Sequence, residues 1–358
     1  MENDKKVWRE ALAPYTVKSN TTALHQVLVT FFLYALVWYF YGQVITSSLW
    51  LALPFSLLMA MFVLRFFVLM HDCGHGSLFT SPKVNKFVGY LLGVITGMPQ
   101  YVWSKHHAYH HTTNGNWEKY KGPLSVISTE EYAKLSDRQK TFYRVFRHPL
   151  SFVTLGGFIY VLFNPRFNWI VGLIGLVGKI ISTAFTVSLA EAYKVAKTCP
   201  SKKWKTPKEF RHMTYNNLLL LTLWYFMIQW LGALNFFTVY VLTLTLSGGL
   251  GILFFTVQHN FENSYASDTE RVNYFKAALA GTSYLKLPKL LNWFTADIAY
   301  HHIHHLSTAI PNYNLAACHK ALESHFTDVK RISIKDIPHS VQFILWDRDK
   351  EVLVSVPN

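Results

Sequence analysis

Acidic residues are scarce in this chain, with 20 Asp and Glu against 34 Lys and Arg in 358 residues and a formal net charge of +14. Charged residues of both signs make up only 15 %, well short of what a soluble domain carries on its surface. The three cysteines, Cys73, Cys199 and Cys318, lie far apart, which excludes a disulfide framework. Residues 1–25 are polar and mixed in charge, and no short apolar core with a small-residue cleavage site follows them, so they do not read as a secretory signal. No basic run interleaves with stacking aromatics in a polar domain, which removes nucleic acid as a partner and leaves the positive excess to be read as membrane topology. What the chain has in quantity is apolar surface. Hydrophobic residues are 51 % and aromatic residues 16 %, and the mean hydropathy is +0.16, the composition of an integral membrane protein.

Apolar runs long enough to cross a bilayer are expected at about 26–47 and 49–70, and a second pair at 216–231 and 234–257. Neither short connector, 42–48 or 232–235, holds a lysine or arginine, whereas the N-terminal segment and residues 194–211 are rich in them. The positive-inside rule then places both termini in the cytoplasm and folds the spans into two hairpins. Arg65, near the end of the second span, is read as snorkelling to the interface. Residues 87–101 are apolar but too short to cross and are broken by Gly89, Gly93, Gly97 and Pro99, which suits a re-entrant piece. Residues 149–190 are apolar but interrupted by Asn164-Pro165-Arg166 and Lys179. An odd number of crossings there would separate the motifs described next, and a central lysine costs about 3 kcal/mol to insert, so surface-lying helices are preferred over two spans. The tail around Phe343–Trp346 and Val352–Val354 reads as a small strand pair. The expected organisation is a cytosolic segment 1–25, a membrane domain 26–325 and a cytosolic tail 326–358.

Seventeen residues are histidine, and ten of them fall in three short boxes: His71-Asp72-Cys73-Gly74-His75, His106-His107-Ala108-Tyr109-His110-His111 and His301-His302-Ile303-His304-His305. On helices, His71 and His75 stand at i and i+4, while His107, His110, His111 and His301, His304, His305 stand at i, i+3 and i+4, so each set shares one face. Imidazole suits iron, copper, zinc and nickel and is a poor ligand for magnesium or calcium. Eight imidazoles are too many for one four-coordinate zinc and enough for two metals with open positions.

The strings HDCGH, HAYHH and HHIHH, with Trp103-Ser104-Lys105-His106-His107 and Thr113-Asn114 around box two and Ile310-Pro311-Asn312-Tyr313 after box three, resemble the membrane fatty-acid desaturases, in particular their bacterial and plastid acyl-lipid, omega-6-like subgroup. The resemblance covers roughly residues 25–325. It implies an all-α integral membrane protein: four transmembrane helices in two hairpins under a cytosolic helical cap, a di-iron centre where the two meet, and a bent tunnel for the acyl chain beside it. Carried over, the metal ligands are His71, His75, His107, His110, His111, His301, His304 and His305, with His259 as a ninth from the helix after the fourth span. His106 and His302, beside ligands, and Asp72 and Asp297 are expected to orient the ligands by hydrogen bonds. His25, His148, His212, His319, His325 and His339 stand alone and are assigned no role.

The activity so implied is an oxidoreductase of lipid metabolism that takes O2 and two electrons to place a cis double bond, Δ12/omega-6 by the look of the flanks, in a lipid-linked acyl chain. Removing hydrogen from an unactivated methylene needs a redox metal pair. No heme-binding His-Pro-Gly-Gly string is in the chain, so a separate donor, a ferredoxin or cytochrome b5 with its reductase, is expected to dock on Lys119, Lys121, Lys202, Lys203 and Lys205. Tyr101, Trp103, Tyr109 and Trp117 are read as aromatic packing at an interface, in preference to walling the site or the electron-transfer path. The location expected is a bacterial inner membrane with the site on the cytoplasmic side. Lipid hydroxylases and epoxygenases use the same boxes, and a membrane zinc hydrolase with one metal and three ligands is a rival from another class. A metal transporter would carry ionisable ligands inside its spans, which are nearly free of them here.

Overall fold

The computed structural model describes residues 2–45, 49–120 and 125–357. The connector at 46–48 and the docking lysine Lys121 therefore lie outside the described residues. After α1 (Glu2–Leu12), α2 (Asn20–Val44) and α3 (Ala52–His75) run as long apolar helices, and α4 (Pro82–Ile95) and α5 (Gln100–Thr112) follow. Next come β1 (Ile127–Ser128), α6 (Thr129–Ala133), α7 (Asp137–Phe146), α8 (Pro149–Ser151), a π-helical stretch over 152–163, α9 (Asn164–Thr186) and α10 (Leu189–Thr198). The second long pair is α11 (Pro207–Leu231) and α12 (Ala233–His259). The remainder is α13 (Tyr274–Leu279), β2 (Ser283–Lys286), α14 (Lys289–Phe294), α15 (His301–Leu306), α16 (Asn312–Ala321), β3 (Lys330–Ser333), α17 (Ile337–Ser340), β4 (Phe343–Asp347) and β5 (Val352–Ser355).

The protein is mostly helical, but the expectation of an all-α protein needs correction. β4 pairs antiparallel with β5 and parallel with β1, while β2 and β3 pair in parallel. The strand pair expected in the tail is present, and the tail also supplies β3, so residues 330–355 are woven into the segments around the histidines. β4 is buried on both faces, with Phe343, Ile344, Leu345 and Trp346 all covered, as a short continuous apolar run within a sheet allows.

Among the described residues, four helices are long and apolar enough to cross a membrane: Asn20–Val44, Ala52–His75, Pro149–Thr186 and Ala233–His259. The third is not the expected one. α11 is as long as its neighbours, but its first half holds Lys208, Glu209, Arg211, Asn216 and Asn217, so by composition alone it falls short. Packing nevertheless pairs it with α12 through the Gly232 turn. The Tyr41 hydroxyl donates to the Asn235 carbonyl at 2.9 Å, and a Cβ on Gly42 would meet the Trp230 ring at 2.7 Å, so the C-terminal end of α2 meets the α11–α12 turn. Stretch 149–186 instead meets α11 and α12 away from that turn. Gly157 lies on the backbone of Thr245 and Gly249, Arg166 bonds Asn216 and Asn217, and the Trp169 indole donates to Thr214. Arg166 also donates to the Gly97 carbonyl at the turn between α4 and α5, which tethers that helical pair to the same level.

Arg65 does not snorkel. It is 3 % exposed, donates through Nε to Thr30 and through Nη2 to Gln26, bonds the Trp293 carbonyl and lies over the Trp293 ring at 4.0 Å. A guanidinium in an apolar setting must find acceptors, and these come from α2 and α14.

Candidate metal centre

α3 carries its apolar run straight into His71 and His75, and α12 does the same into His259. One rod thus fixes both membrane anchor and ligand. Gly76, at φ +72°, ends α3 one residue after His75, its N–H bonding the Cys73 carbonyl, the conformation a glycine adopts without strain. Gly74 faces α5, where an added Cβ would stand 2.4 Å from Ser104 Oγ. That close approach brings box one against box two. Box three sits on α15, whose residues from His301 to Leu306 are all buried.

The nine expected ligands gather in two groups: His71, His75, His107, His111 and His304 in one, and His110, His259, His301 and His305 in the other, with ligand atoms in each group within 4.8 Å of one another. The division cuts across the boxes. At about 100° per residue, i and i+4 diverge by about 40° and i+3 falls about 60° to the other side of i. Accordingly His107 and His111 go together without His110, and His301 and His305 without His304.

The Nε2 atoms converge. His71 to His304, His304 to His111 and His111 to His107 are each 3.0 Å apart, and in the other group His259 to His301 is 2.9 Å, His301 to His305 3.1 Å and His305 to His110 3.3 Å. A single Nε2 has one proton or one lone pair, so His304, His111, His301 and His305 cannot each hydrogen-bond two neighbours through it. Shared ligation satisfies all of them. At about 2.1 Å from a metal, neighbouring nitrogens at right angles are about 3.0 Å apart and tetrahedral ones about 3.4 Å. The edges of the five-histidine group fit right angles, while those of the four-histidine group run from 2.9 Å to 3.3 Å, from the right-angle value toward the tetrahedral one, and buried His75 Nε2, with no hydrogen-bond partner among the described residues, completes the larger group. The donor set is all nitrogen, which fits a transition metal. Burial, reinforced by neighbouring imidazoles, holds His107, His110, His111, His301, His304 and His305 well below their ordinary pKa, so these rings stay neutral and able to ligate.

Trp103 stacks on His107 at 4.6 Å, and Phe255 sets its edge against His110 and His259. Tyr109 turns away, donating to the Lys119 carbonyl, and Trp117 packs beside Tyr120. The Asp72 carboxylate lies 3.0 Å from His71 Nδ1 and accepts from the Asn312 N–H at 2.8 Å. His302, fully buried, bonds an imidazole that is no ligand, that of His319, at 3.1 Å. His319 was assigned no role because a 17-residue spacing carries no periodic signal. His106 is exposed and belongs to neither group. Asp297 does not share the face of His301: α15 starts only at His301, and Asp297 sits before it in a left-handed turn at φ +58°. Its carboxyl, pushed up to about 6 by burial while Arg65 pulls it down, answers the buried guanidinium instead. The quoted Ile-Pro-Asn-Tyr string contained the Asn312 signal, but Gln26 and Thr30 had none.

Residues 48–332 match the family model described as fatty acid desaturase. A fatty acid desaturase of Bacillus subtilis is 32 % identical over 352 residues, 98 % of this chain and 90 % of the relative. The sn-1 oleoyl-lipid 12-desaturase of Picosynechococcus sp. is 26 % identical over 286 residues, 80 % of this chain and 73 % of the relative. A chloroplastic sn-2 acyl-lipid omega-3 desaturase (ferredoxin) of Arabidopsis thaliana is 32 % identical over 129 residues, 36 % of this chain and 27 % of the relative. The chain belongs to the fatty acid desaturase family. Its activity is accordingly that of an oxidoreductase of lipid metabolism, and it carries a histidine cluster able to hold metal.

Proposed function

We propose that this desaturase holds two irons, one in each histidine group, and uses O2 and two electrons to introduce a cis double bond into a lipid-linked acyl chain, at the Δ12/omega-6 position. The observation that carries the reading is the division of nine converging imidazoles into groups of five and four. A single tetrahedral zinc, as in a hydrolase, leaves one of the two groups without a role. When bound, iron supplies the redox chemistry that activates O2. In overall balance, two neighbouring methylenes each lose one hydrogen, two electrons and two protons come from the donor side, and two waters leave. The protein's own part is to fix the nine rings through α3, α5, α12 and α15, to keep the six from α5 and α15 unprotonated by burial, and to exclude water with Trp103 and Phe255. Asp72 orients His71, and His302 supports box three through His319.

In the proposed topology α2 with α3 and α11 with α12 form two hairpins whose turns share one side. The termini and histidines lie on the other, cytoplasmic side of a bacterial inner membrane, and residues 26–325 form the catalytic domain. Residues 149–190 then lie along the histidine side without crossing, which their contacts to Thr214, Asn216, Asn217, Thr245 and Gly249 support. The exposed Lys119, Lys202, Lys203 and Lys205 suit an acidic electron donor, a ferredoxin or cytochrome b5. The printed names of the relatives, one for an oleoyl-lipid substrate and one for ferredoxin, support these finer assignments.

The test is a lipid profile. The chain is expressed in a bacterium with ferredoxin and its reductase, and total fatty acid methyl esters are analysed by mass spectrometry with double-bond localisation. A new Δ12 acid that is absent from a His304→Ala control is expected. A hydroxy acid in its place would make the enzyme a hydroxylase, and one zinc per purified chain would end the di-iron reading.

A further inference from the structure

This inference rests on the reading of the nine histidines as ligands. The two groups differ in what stands behind their rings. In the four-histidine group, His110 Nδ1 and His301 Nδ1 are buried without a hydrogen-bond partner among the described residues, and His259 bonds the backbone of Gly281. In the five-histidine group, His71 Nδ1 meets a carboxylate, Asp72 Oδ1 at 3.0 Å, and that carboxylate heads a chain of bonds. Asp72 Oδ2 accepts from the Asn312 main-chain N–H at 2.8 Å. Asn312 Nδ2 donates to Gln26 Oε1 at 2.8 Å, and Arg65 Nη2 donates to the same oxygen at 3.2 Å. Asp72, Asn312 and Arg65 are all buried.

The sense of every link follows from the cation at its end. A guanidinium only donates, so Gln26 turns its oxygen toward Arg65, and Asn312 must turn its amide N–H toward that same oxygen. This seats the first turn of α16 so that its main-chain N–H meets Asp72. An ionised carboxylate only accepts, so the proton of His71 sits on Nδ1 and the Nε2 lone pair faces His304. We propose that Gln26 and Asn312 are positioning residues for the five-histidine metal: together they hold Asp72 behind His71, and they act on that metal alone. A carboxylate behind an imidazole raises its basicity and fixes its rotation. The four-histidine group has no such backing among the described residues, so the two metals are inequivalent.

The experiment uses full-length protein loaded with 57Fe, read by iron content and Mössbauer spectroscopy, in wild type, Gln26→Leu, Gln26→Glu and Asn312→Ala. Wild type is expected to give two doublets of equal area. Gln26→Leu should shift one doublet and leave the other in place, with iron held about tenfold more weakly at that position and falling from two toward one per chain. Gln26→Glu keeps an acceptor oxygen and is expected to restore both doublets, which a purely steric role of Gln26 would not require. Should Gln26→Leu fail to elute as folded protein, Asn312→Ala cuts the same link from its other side and is expected to shift the same doublet. The proposal is overturned if both doublets move together, if neither moves, or if Glu does no better than Leu. Wild-type protein holding a single zinc overturns the ligand reading itself and this inference with it, an outcome visible before any variant is compared.

Discussion

Where a histidine stands within its box decides which of the two histidine groups it joins. The ring at i+3 points to the far side of its helix stripe, and in both box two and box three that ring, His110 or His304, joins the group its box-mates do not. His259 and His302 sharpen the contrast between ligation and support. His259 Nε2 converges with His301 at 2.9 Å, whereas His302 Nε2 is taken by His319. His259→Ala is therefore expected to lower iron content and abolish product, and His302→Ala to keep most of the iron; equal losses in the two purified variants would contradict this. Protonation follows from the same burial. Because burial holds His107, His110, His111, His301, His304 and His305 well below the ordinary value of 6.5, the unfolded chain takes up protons below pH 6.5 that the native one refuses. Stability of the metal-free protein is then level above 6.5 and falls as the pH drops through it. Melting temperatures measured between about pH 5 and about pH 8 check this, and a flat profile would mean the rings are not buried as described.

The elements matter for how closely they approach. α3 reaches α5 at Gly74, where no side chain larger than hydrogen fits without displacing Ser104. Gly74→Val is expected to destabilise by about 1–3 kcal/mol through overpacking and, by parting boxes one and two, to empty the five-histidine group before the other. Iron per chain alongside the melting temperature would separate these effects, and normal iron in a destabilised variant would show that the contact only packs. The Gly76 cap and the seating of α16 on Asp72 belong to the same scale, since each fixes where a ligand-bearing segment stops or starts.

Across the whole molecule, the tail closes the ligand-bearing face. β5 pairs with β4, and residues 264–266, just after His259, are tied to the tail: the Ala266 N–H donates to the Glu351 carbonyl and the Leu353 N–H donates to the Ser264 carbonyl. Truncation after Asp349 is expected to release that loop and to lower iron in the four-histidine group, measured as loss of about half the bound metal if α12 loses its terminal support. Full iron retention would show the tail to be dispensable for the site.

The chain by itself determined the chemistry and the anchoring. Histidines at i, i+3 and i+4 identify imidazole faces whatever the tertiary fold, and apolar runs ending in His71 and His259 state that membrane helix and ligand are continuous, because both are properties of single helices. Local sequence also announced the strand pair of the tail. It announced α11 and α12 as a pair, but not that the polar first half of α11 leaves that helix short of a span by composition while 149–186 qualifies. Nor did it reveal that Arg65 is buried on α14, that Asp297 leaves the helix before His301, or that His106 faces outward. Those outcomes depend on which surfaces meet. The assignment of each ring to one histidine group or the other, and the line from Arg65 through Gln26 and Asn312 to Asp72, join residues as far apart as 26 and 312. Only the packed arrangement of α2, α3 and α16 brings their polar atoms within hydrogen-bond reach, since a buried donor takes whatever acceptor the neighbouring helix presents.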